Sequence, residues 1–234
     1  MKFTTPSFVS ELIERFKKEG LEIYIVGGAV RNLIMGRTVS DWDFTTNATP
    51  EEILKLFPKA FYDNKFGTVG VMYPDSPEPL EITTFRREET YSDRRHPDKV
   101  VWGKSIEEDL SRRDFTINAL ALSPDGTITN LFNGQEDIKN KLIRAVGDPH
   151  KRFSEDALRM MRAIRIAAEL GFVIEEQTFE AIKLNVVLVR KISAERIRDE
   201  LFKLLASPYP YEGVVMLRNA RLLTEILPEV EEAF

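Results

Sequence analysis

Two aspartates separated by a single residue, Asp41 and Asp43, are the part of the sequence best suited to chemistry. Residues two apart on a β-strand face the same side, so a strand here would place two carboxylates side by side. Adjacent like charges repel, and a divalent cation relieves that repulsion. A cation held in this way can contact phosphate oxygens and activate a hydroxyl group for in-line attack. Taken alone, the pattern also fits two acids on a solvated strand edge.

A glycine pair, Gly27 and Gly28, stands shortly before the aspartates. It follows an apolar, β-branched run over 21–26 that predicts a buried strand, and a helical pattern over 29–35 comes after it. A strand, a glycine turn and a helix start together direct backbone N–H groups at an anion. Most Gly-Gly pairs are only turns, but this one beside the aspartates predicts a combined phosphate and metal site.

A second block, RRDFTINAL at 112–120, combines two arginines with a polar amide. Arg112 and Arg113 offer bidentate contacts to phosphate, and Asn118 could contact a ribose or a base. The alternative is a basic surface turn before a buried segment.

A third block places Asp156, Arg159, Arg162 and Arg165 at three-residue steps in a helix predicted over 154–170. Asp accepts and Arg donates in planar geometry, so Asp156 with Arg159 could imitate the Watson–Crick partner of a base. Arg162 and Arg165 could meet phosphates. The alternative is a salt-bridged helix face, worth about 0.2–0.5 kcal/mol per pair.

Composition limits the metals and partners that these residues can serve. The 234-residue chain has no cysteine and two histidines, His96 and His150, so a metal must sit on oxygen ligands, which favours magnesium, manganese or calcium over zinc. The net charge of −5 gives no overall signal for nucleic acid. No apolar stretch approaches membrane-spanning length, so no membrane association is expected and the cytoplasm is the expected location. Nothing in the sequence predicts an oligomeric state.

Periodicity and turn residues predict a mixed N-terminal part and a helical C-terminal part. Strands are expected at 21–26, 42–46, 68–73 and 80–85, with a hairpin over 119–131 around Pro124-Asp125-Gly126. Residues 86–104 lack apolar periodicity and predict a long mobile loop. Helices are expected at 7–19, 29–35, from 49, and at 154–170, 175–185, 193–206 and 211–219.

Four segments taken in order resemble the class II tRNA nucleotidyltransferases, the CCA-adding enzymes of the polymerase-β-like superfamily. The matching text is GGAVRNLIMGRTVSDWDFTT (27–46), RRDFTINALAL (112–122), FNGQEDIKNKLIRAVGDP (132–149) and EDALRMMRAIRIAAELGF (155–172). The resemblance implies an α+β fold: a polymerase-β-like nucleotidyltransferase head with a mixed β-sheet and helices over 1–148, then an all-α, nucleotide-selecting neck over 149–234. Family members continue into body and tail helices that grip tRNA. Here these are expected to be absent, with nucleotide binding intact and with tRNA binding weakened if nothing replaces the missing part.

The resemblance also implies roles for residues of the head. Gly28 and Arg31, with Gly27 in the same turn, would bind the triphosphate, and Asp41 and Asp43 would bind Mg²⁺ as the catalytic carboxylates. Arg113 would contact the nucleotide, together with Asn118. Glu81, on a predicted strand, is a candidate third carboxylate, with an ordinary strand-edge acid as the alternative. Asn32 stands where the family commonly has Asp, which leaves the role of that position open.

In the neck, the resemblance implies that Asp156, Arg159, Arg162 and Arg165 form a nucleotide-reading helix that replaces a nucleic-acid template. The implied activity is addition of CCA, or its terminal A, to the tRNA 3′ end from CTP and ATP, by attack of the 3′-hydroxyl on the α-phosphate.

Two segments bear on the choice among related activities. Residues 65–71, KFGTVGV, resemble CCA-adding enzymes rather than bacterial poly(A) polymerases, and the retained segment 86–98 favours full CCA addition over CC-adding or A-adding activity alone. A nucleotide-binding module without transferase activity is the contrasting hypothesis, and the retained Asp41, Asp43 and Arg113 argue against it.

Overall fold

The computed structural model describes residues 3–64, 67–73, 75–76, 78–88 and 100–231. The helices of this part of the chain are α1 (Ser7–Lys18), α2 (Gly28–Ile34), α3 (Pro50–Leu56), α4 (Ile106–Ser111), α5 (Gly134–Lys139), α6 (Pro149–Glu155), α7 (Leu158–Leu170), α8 (Glu176–Asn185), α9 (Ala194–Leu205), α10 (Pro210–Asn219), α11 (Leu222–Ile226) and α12 (Pro228–Glu231). Short 3-10 helices cover Thr116–Asn118 and Val186–Lys191.

The strands are short and concentrated in the N-terminal half. They are β1 (Ile23–Val26), β2 (Asp43–Thr46), β3 (Phe61–Asn64), β4 (Thr68–Val71), β5 (Leu80–Thr84), β6 (Arg86–Glu88), β7 (Val100–Trp102), β8 (Ala121–Leu122), β9 (Ile128–Thr129), β10 (Leu142–Ile143) and β11 (Val173–Ile174). The helices expected at 7–19, 29–35, 175–185, 193–206 and 211–219 are confirmed within a residue or two at each end.

The chain packs as two compact units. Of the described residues, the first unit contains those up to 88, then 100–113 and 117–135, and the second contains 114–116 and 136–231. Packing thus assigns 136–148 to the second unit, whereas the predicted domain boundary lies at 148/149. The division by packing does not test the predicted boundary between functional domains, which stays a prediction.

A mixed β-sheet forms the centre of the first unit. Its strands, among the described residues, lie in the order β3-β4-β5-β2-β1-β8-β9. Strands β2 and β5 are parallel, and the other neighbours are antiparallel. The β8–β9 pair confirms the hairpin predicted around Pro124-Asp125-Gly126. The α+β fold class with a mixed sheet is therefore confirmed.

The end of β1 is fixed by burial on one side and by pairing on the other. Val26 packs into a cluster with Phe85, Ile106, Leu110 and Ala121, which attaches α4 to the sheet. Its backbone pairs with Asp43 at the first position of β2. Burial of several large apolar side chains at about 1.5–3 kcal/mol each makes this a rigid point from which the chain enters the glycine turn.

The start of α3 follows the capping rules that its sequence satisfies. The Thr49 hydroxyl accepts a hydrogen bond from the backbone of Glu52, the Glu52 carboxylate accepts one from the backbone of Thr49, and Pro50 occupies the first turn. This capping box satisfies two otherwise unpaired N–H groups. The helix predicted to open at 49 is confirmed.

The strands expected at 21–26, 42–46, 68–73 and 80–85 are confirmed within two residues at each end as β1, β2, β4 and β5. One expectation for the first unit is wrong. The segment 86–104 is not simply a loop, since β6 and β7 pair antiparallel with Arg86 opposite Trp102. Strand β6 consists of three charged residues and β7 of only three apolar ones, so neither shows the apolar alternation that marks a strand. Residues 89–99 lie outside the described residues.

The second unit is built from helices. Helix α6 packs on α8, and α7 packs on both α9 and α10. Short parallel strands β10 and β11 pair through Leu142 with Val173 and Ile143 with Ile174. The helical neck is confirmed, with this two-residue pairing as an addition to it.

The helix expected over 154–170 is interrupted. Helix α6 ends at Glu155, Asp156 is extended with φ −142° and ψ 105°, and α7 begins at Leu158. The Asp156 carboxylate accepts a hydrogen bond from the Leu158 N–H at 3.0 Å. A short acidic side chain competes with helical backbone bonds in this way, which is why aspartate favours helix starts over helix interiors.

None of the helices formed by the described residues is both long and apolar enough to cross a membrane.

Candidate active site

Gly27 forms the turn between β1 and α2 in a backbone conformation reserved for glycine. Its φ is 69° and its ψ is −138°. An L-residue at these angles suffers a clash between its Cβ and its own backbone. The predicted glycine turn is therefore required by the path of the chain and is not only a flexible link.

The space beside Gly27 is shared by two charged side chains of the first unit. A Cβ added to this glycine would lie 3.3 Å from Nη1 of Arg113 and 3.4 Å from Oδ2 of Asp43. The missing side chain thus leaves room between a guanidinium and a carboxylate that come from distant parts of the sequence. The structure brings together three of the residues that the sequence singled out.

Arg31 lies over the second glycine of the turn. A Cβ on Gly28 would lie 3.4 Å from its Nη2 atom. Its Nη1 donates to Oδ1 of Asn118 at 2.8 Å, and its Nε and Nη2 donate to Oδ1 of Asn32 at 3.2 and 3.1 Å. Asn32, the departure from the family pattern, still supplies an acceptor to Arg31 but carries no charge. We call Gly27, Gly28, Arg31, Asp43, Arg113 and Asn118 the glycine-turn cluster.

The three carboxylates of the sequence hypothesis do not form one cluster. Asp43 opens β2 and pairs in register with Glu81 on the parallel strand β5, so their α-carbons are neighbours across the sheet. Asp41 precedes the strand and is exposed, so strand alternation does not align it with Asp43. Glu81 is exposed as well. The catalytic and metal-binding roles of all three stay predictions.

A metal ion in the first unit would have few protein ligands. Among the described residues, no group of three or more His, Cys, Asp or Glu side chains could hold a metal ion by itself. Mg²⁺ does not need such a cage, because it is commonly bound by one or two carboxylates with the remaining positions taken by water and substrate phosphates. Asp43, whose Oδ2 lies against the Gly27 turn, could supply one such carboxylate.

Asp109 holds both arginines of the second block and was missed at the sequence level. Its carboxylate is fully buried and accepts hydrogen bonds from Arg112 at 2.6 and 3.0 Å and from Nη2 of Arg113 at 3.0 Å. The spacing signal was present, since an acid three and four residues before two arginines on a helix is within reach of both. Asp109 orients the guanidinium that lies beside Gly27.

The ionisation of Asp109 depends on these two neighbours. Burial would raise its pKa, but the positive charges of Arg112 and Arg113 and their hydrogen bonds outweigh that effect and lower the pKa from 3.8 to about 2. The carboxylate is therefore charged at neutral pH. The pair of arginines and the acid form a fixed charge unit at the end of α4.

In the second unit, Asp156 and Arg159 are joined through their backbones, where the Arg159 N–H donates to the Asp156 carbonyl at 3.1 Å, and their side chains have further partners. Asp156 accepts from Nη2 of Arg196 at 2.9 Å, in addition to the Leu158 N–H. Arg159 donates from Nη1 to Glu155 at 2.8 Å and to the Arg152 carbonyl at 3.1 Å. The structure places Asp156 before α7 rather than on the helix of the arginines. Whether this pair reads a base is not tested by these contacts and stays a prediction.

Arg162 and Arg165 are held by acids that the sequence did not single out, of which Asp114 and Glu200 are buried. Arg162 donates from Nε and Nη2 to Oδ2 of Asp114 at 3.0 and 2.6 Å. Arg165 donates to Glu200 and to Glu169, each at 2.6 Å. Burial would raise the pKa of Asp114, but Arg162 holds it well below its usual value, and Asp114 raises the pKa of Arg162. These arginines are oriented by carboxylates from elsewhere in the unit.

Two of the segments that bear on the choice among related activities lie partly outside the described residues. Lys65 and Phe66, which begin the segment that favours CCA-adding over poly(A) activity, lie outside the described residues. So do residues 89–98 of the segment 86–98, which favours full CCA addition. Both arguments stay predictions.

Two family profiles match the chain. The profile described as "Poly A polymerase head domain" matches residues 23–144, and the one described as "Probable RNA and SrmB- binding site of polymerase A" matches 171–234. The first covers the whole glycine-turn cluster.

Curated proteins and solved structures agree with these profiles. A CCA-adding enzyme of Lactobacillus helveticus is 49% identical over 216 residues, covering 92% of this chain and 54% of that protein. The crystal structure of the Bacillus stearothermophilus CCA-adding enzyme in complex with CTP is 41% identical with a TM-score of 0.85, covering 94% of this chain and 53% of that one. The Thermotoga maritima CCA-adding enzyme complexed with tRNA-CCA is 26% identical with a TM-score of 0.80, covering 97% and 54%. The chain spans about half the length of the curated relatives it matches.

Proposed function

The chain belongs to the poly(A) polymerase head-domain family, and on this premise we propose that it is a tRNA nucleotidyltransferase. It adds CCA, or its terminal A, to the 3′ end of tRNA from CTP and ATP without a nucleic-acid template. The resemblance to CCA-adding enzymes is confirmed by relatives of that name. Because those relatives are about twice as long as this chain, its activity, substrates and RNA partner are proposals, as is a cytoplasmic location.

The observation that carries the proposal is the approach of Asp43 and Arg113 to Gly27. A carboxylate suited to a metal ion and a guanidinium suited to phosphate both lie against a turn that has no side chain. A nucleoside triphosphate carries both of the groups that this arrangement accommodates, since its phosphate oxygens bind metal ions and guanidinium groups.

We propose Mg²⁺ as the metal, held by Asp43 and Asp41, with Glu81 as a further candidate. Proteins of this family use divalent metal ions generally, and the carboxylate set without histidine or cysteine favours a hard cation such as Mg²⁺. When bound, such an ion neutralises charge on the triphosphate and favours deprotonation of the attacking hydroxyl.

The protein side chains act on the triphosphate. We propose that Arg113 and Arg31 bind its oxygens, with Asn118 orienting Arg31 through the 2.8 Å hydrogen bond between them. The 3′-hydroxyl oxygen of the RNA forms a bond to the α-phosphorus, the bond between that phosphorus and the β-phosphate oxygen breaks, and pyrophosphate leaves. Fixed positive charges at the triphosphate stabilise the negative charge that develops on pyrophosphate.

We propose that the second unit selects the base through Asp156 and Arg159, with Arg162 and Arg165 as supporting residues. A carboxylate has about four acceptor positions, so Asp156 can accept from Leu158 and Arg196 and still bind a base edge. Glu155 holds Arg159, and Arg196 holds Asp156, so each side chain is restricted to a defined orientation, as a protein replacing a template requires.

The test is incorporation of labelled nucleotide by the 234-residue protein. A tRNA lacking its terminal CCA is incubated with Mg²⁺ and labelled CTP, ATP or both, and products are resolved at single-nucleotide length. The proposal expects extension by three nucleotides with both substrates present. Extension by CC alone, by A only on tRNA ending in CC, or by long A tails would identify a CC-adding enzyme, an A-adding enzyme or a poly(A) polymerase. Nucleotide binding without incorporation would contradict the proposal and support a binding module.

A further inference from the structure

A row of paired residues runs across four strands of the first unit and ends on an exposed aromatic ring. Phe61 on β3 pairs with Gly70 on β4, Gly70 pairs with Glu81 on β5, and Glu81 pairs with Asp43 on β2. Directly paired residues point to the same face of a sheet. Phe61 therefore lies on the face that carries the carboxylate of the glycine-turn cluster.

The ring of Phe61 extends along the sheet toward that carboxylate. A Cβ added to Gly70 would lie 2.5 Å from Cζ of Phe61 and 2.9 Å from both of its Cε atoms, so the outer edge of the ring rests where Gly70 has no side chain. The residue is nevertheless 45% exposed. Glycine at 70 thus lets an aromatic ring lie close to the sheet while much of its surface stays accessible.

The spacing of the strands places the ring at a useful distance from Asp43. Gly70 is two strands away from Asp43, which corresponds to about 10 Å at a strand separation of about 4.8 Å. Successive nucleotides advance by about 3.4 Å along a stacked strand. If the 3′ end of an RNA reacts beside Asp43, one of its last three or so bases would therefore reach the ring of Phe61.

We propose that Phe61 is a stacking platform for an unpaired base near the 3′ end of the acceptor RNA. This inference rests on the proposed function. A base contact fits this surface better than a phosphate contact, because Glu81 lies in the same row between the ring and Asp43 and repels phosphate. Stacking on an aromatic ring tolerates any base, as an acceptor whose end changes during addition requires.

Tyr62 provides a matched control for this surface. It is 47% exposed, nearly the same as Phe61, and lies next to it on β3, so it faces the opposite side of the sheet. Replacing either residue by leucine removes one exposed ring from the same strand. Only the replacement at 61 removes a ring from the face of Asp43.

The experiment measures binding of an acceptor RNA that carries 2-aminopurine as its second nucleotide from the 3′ end, without nucleoside triphosphate. Stacking quenches 2-aminopurine fluorescence. We expect quenching with the wild-type protein, Tyr62→Leu and Phe61→Trp, and its loss with Phe61→Leu, together with RNA affinity weakened about fivefold or more. Phe61→Met, which also covers Gly70 but cannot stack, is the second variant if leucine lowers the melting temperature.

Equal quenching and affinity for wild type and both non-aromatic variants would overturn the inference, and so would an equal loss with Tyr62→Leu. Transfer assays separate this outcome from the proposed function. If the wild type transfers nucleotides and replacing Phe61 changes neither quenching nor RNA affinity, only the stacking platform is rejected. If quenching is lost in Phe61→Leu but the wild type shows no transfer, only the transferase activity is rejected. The KM for CTP at saturating RNA should be the same in wild type and Phe61→Leu.

Discussion

The Oδ2 atom of Asp109 accepts a hydrogen bond from Nη2 of Arg113 at 3.0 Å, while Nη1 of the same arginine faces Gly27. One end of the guanidinium is thus fixed by a buried acid and the other is directed to the glycine turn. Arg112 binds the other oxygen of the same carboxylate. The orientation of Arg113 in the glycine-turn cluster therefore depends on Asp109, a residue of α4 outside that cluster.

Replacing Asp109 by Asn tests this dependence. The amide keeps the shape but removes the buried negative charge between two arginines, and breaking a buried ion pair from one side costs about 3 kcal/mol. Urea unfolding should show this loss. The kcat/KM for CTP should fall about tenfold or more, which corresponds to about 1.4 kcal/mol of lost contact. Glu107→Gln, an exposed acid on the same helix, should change the free energy of unfolding by less than about 0.5 kcal/mol, and equal effects of the two variants would contradict the account.

The lowered pKa of Asp109 also predicts a pH dependence of stability. The pKa is about 2 in the folded protein against an ordinary 3.8, so the ionised form stabilises the fold above about pH 4, and the contribution is lost as the pH falls toward 2. A shift of this size corresponds to about 2 kcal/mol. Unfolding free energies measured between pH 5 and 2 should therefore fall more steeply for the wild type than for Asp109→Asn. Parallel curves would show that Asp109 is not the group responsible.

Gly27→Ala should inactivate the protein through crowding as well as strain. The new Cβ would meet Arg113 at 3.3 Å and Asp43 at 3.4 Å. Gly20 is the control for a positive φ, which is 70° there, because a Cβ at that position would meet no atom within 4 Å. Gly20→Ala should lose about 1–2 kcal/mol of stability and Gly27→Ala at least as much, but only Gly27→Ala should lose nucleotide binding, measured by calorimetry with CTP. Intact CTP binding in Gly27→Ala would remove the turn from the site.

Asp156→Asn should change the choice between CTP and ATP. The amide replaces one acceptor by a donor and so alters the pattern offered to a base edge. Because Asp156 also binds Arg196, Arg196→Gln serves as the control that removes the salt bridge and keeps the carboxylate. Both variants should lose about 1 kcal/mol of stability, whereas the ratio of kcat/KM for CTP and ATP should shift only in Asp156→Asn. A shift of equal size in Arg196→Gln would assign the effect to structure rather than to base reading.

Local patterns predicted much of the fold because they reflect local physics. The β-branched run before Gly27, the capping residues around Pro50 and the hairpin at Pro124-Asp125-Gly126 each specify their own element. Strands β6 and β7 escaped prediction because β6 is fully charged and β7 is only three residues long, so neither gives an apolar alternation.

The candidate site was only partly predictable for a related reason. The types and spacing of Gly27, Asp43 and Arg113 pointed to phosphate and metal chemistry, but their convergence depends on the order of strands and on Asp109, which is set by tertiary packing. Helical spacing likewise predicted that Asp156 and Arg159 lie on one continuous helix. The aspartate instead ends the helical path and binds Arg196, a residue 40 positions away.

The central claim is that Asp43 supports metal-dependent transfer, and its direct test is single-turnover incorporation of labelled CMP into tRNA with Mg²⁺ by wild type, Asp43→Asn and Asp75→Asn. Asp75 is an exposed acid between β4 and β5, so its replacement makes the same change in charge away from the cluster. We expect loss of at least about a thousandfold in rate for Asp43→Asn, equivalent to about 4 kcal/mol, with an unchanged melting temperature and with wild-type transfer by Asp75→Asn. Transfer by Asp43→Asn within tenfold of wild type would contradict the account.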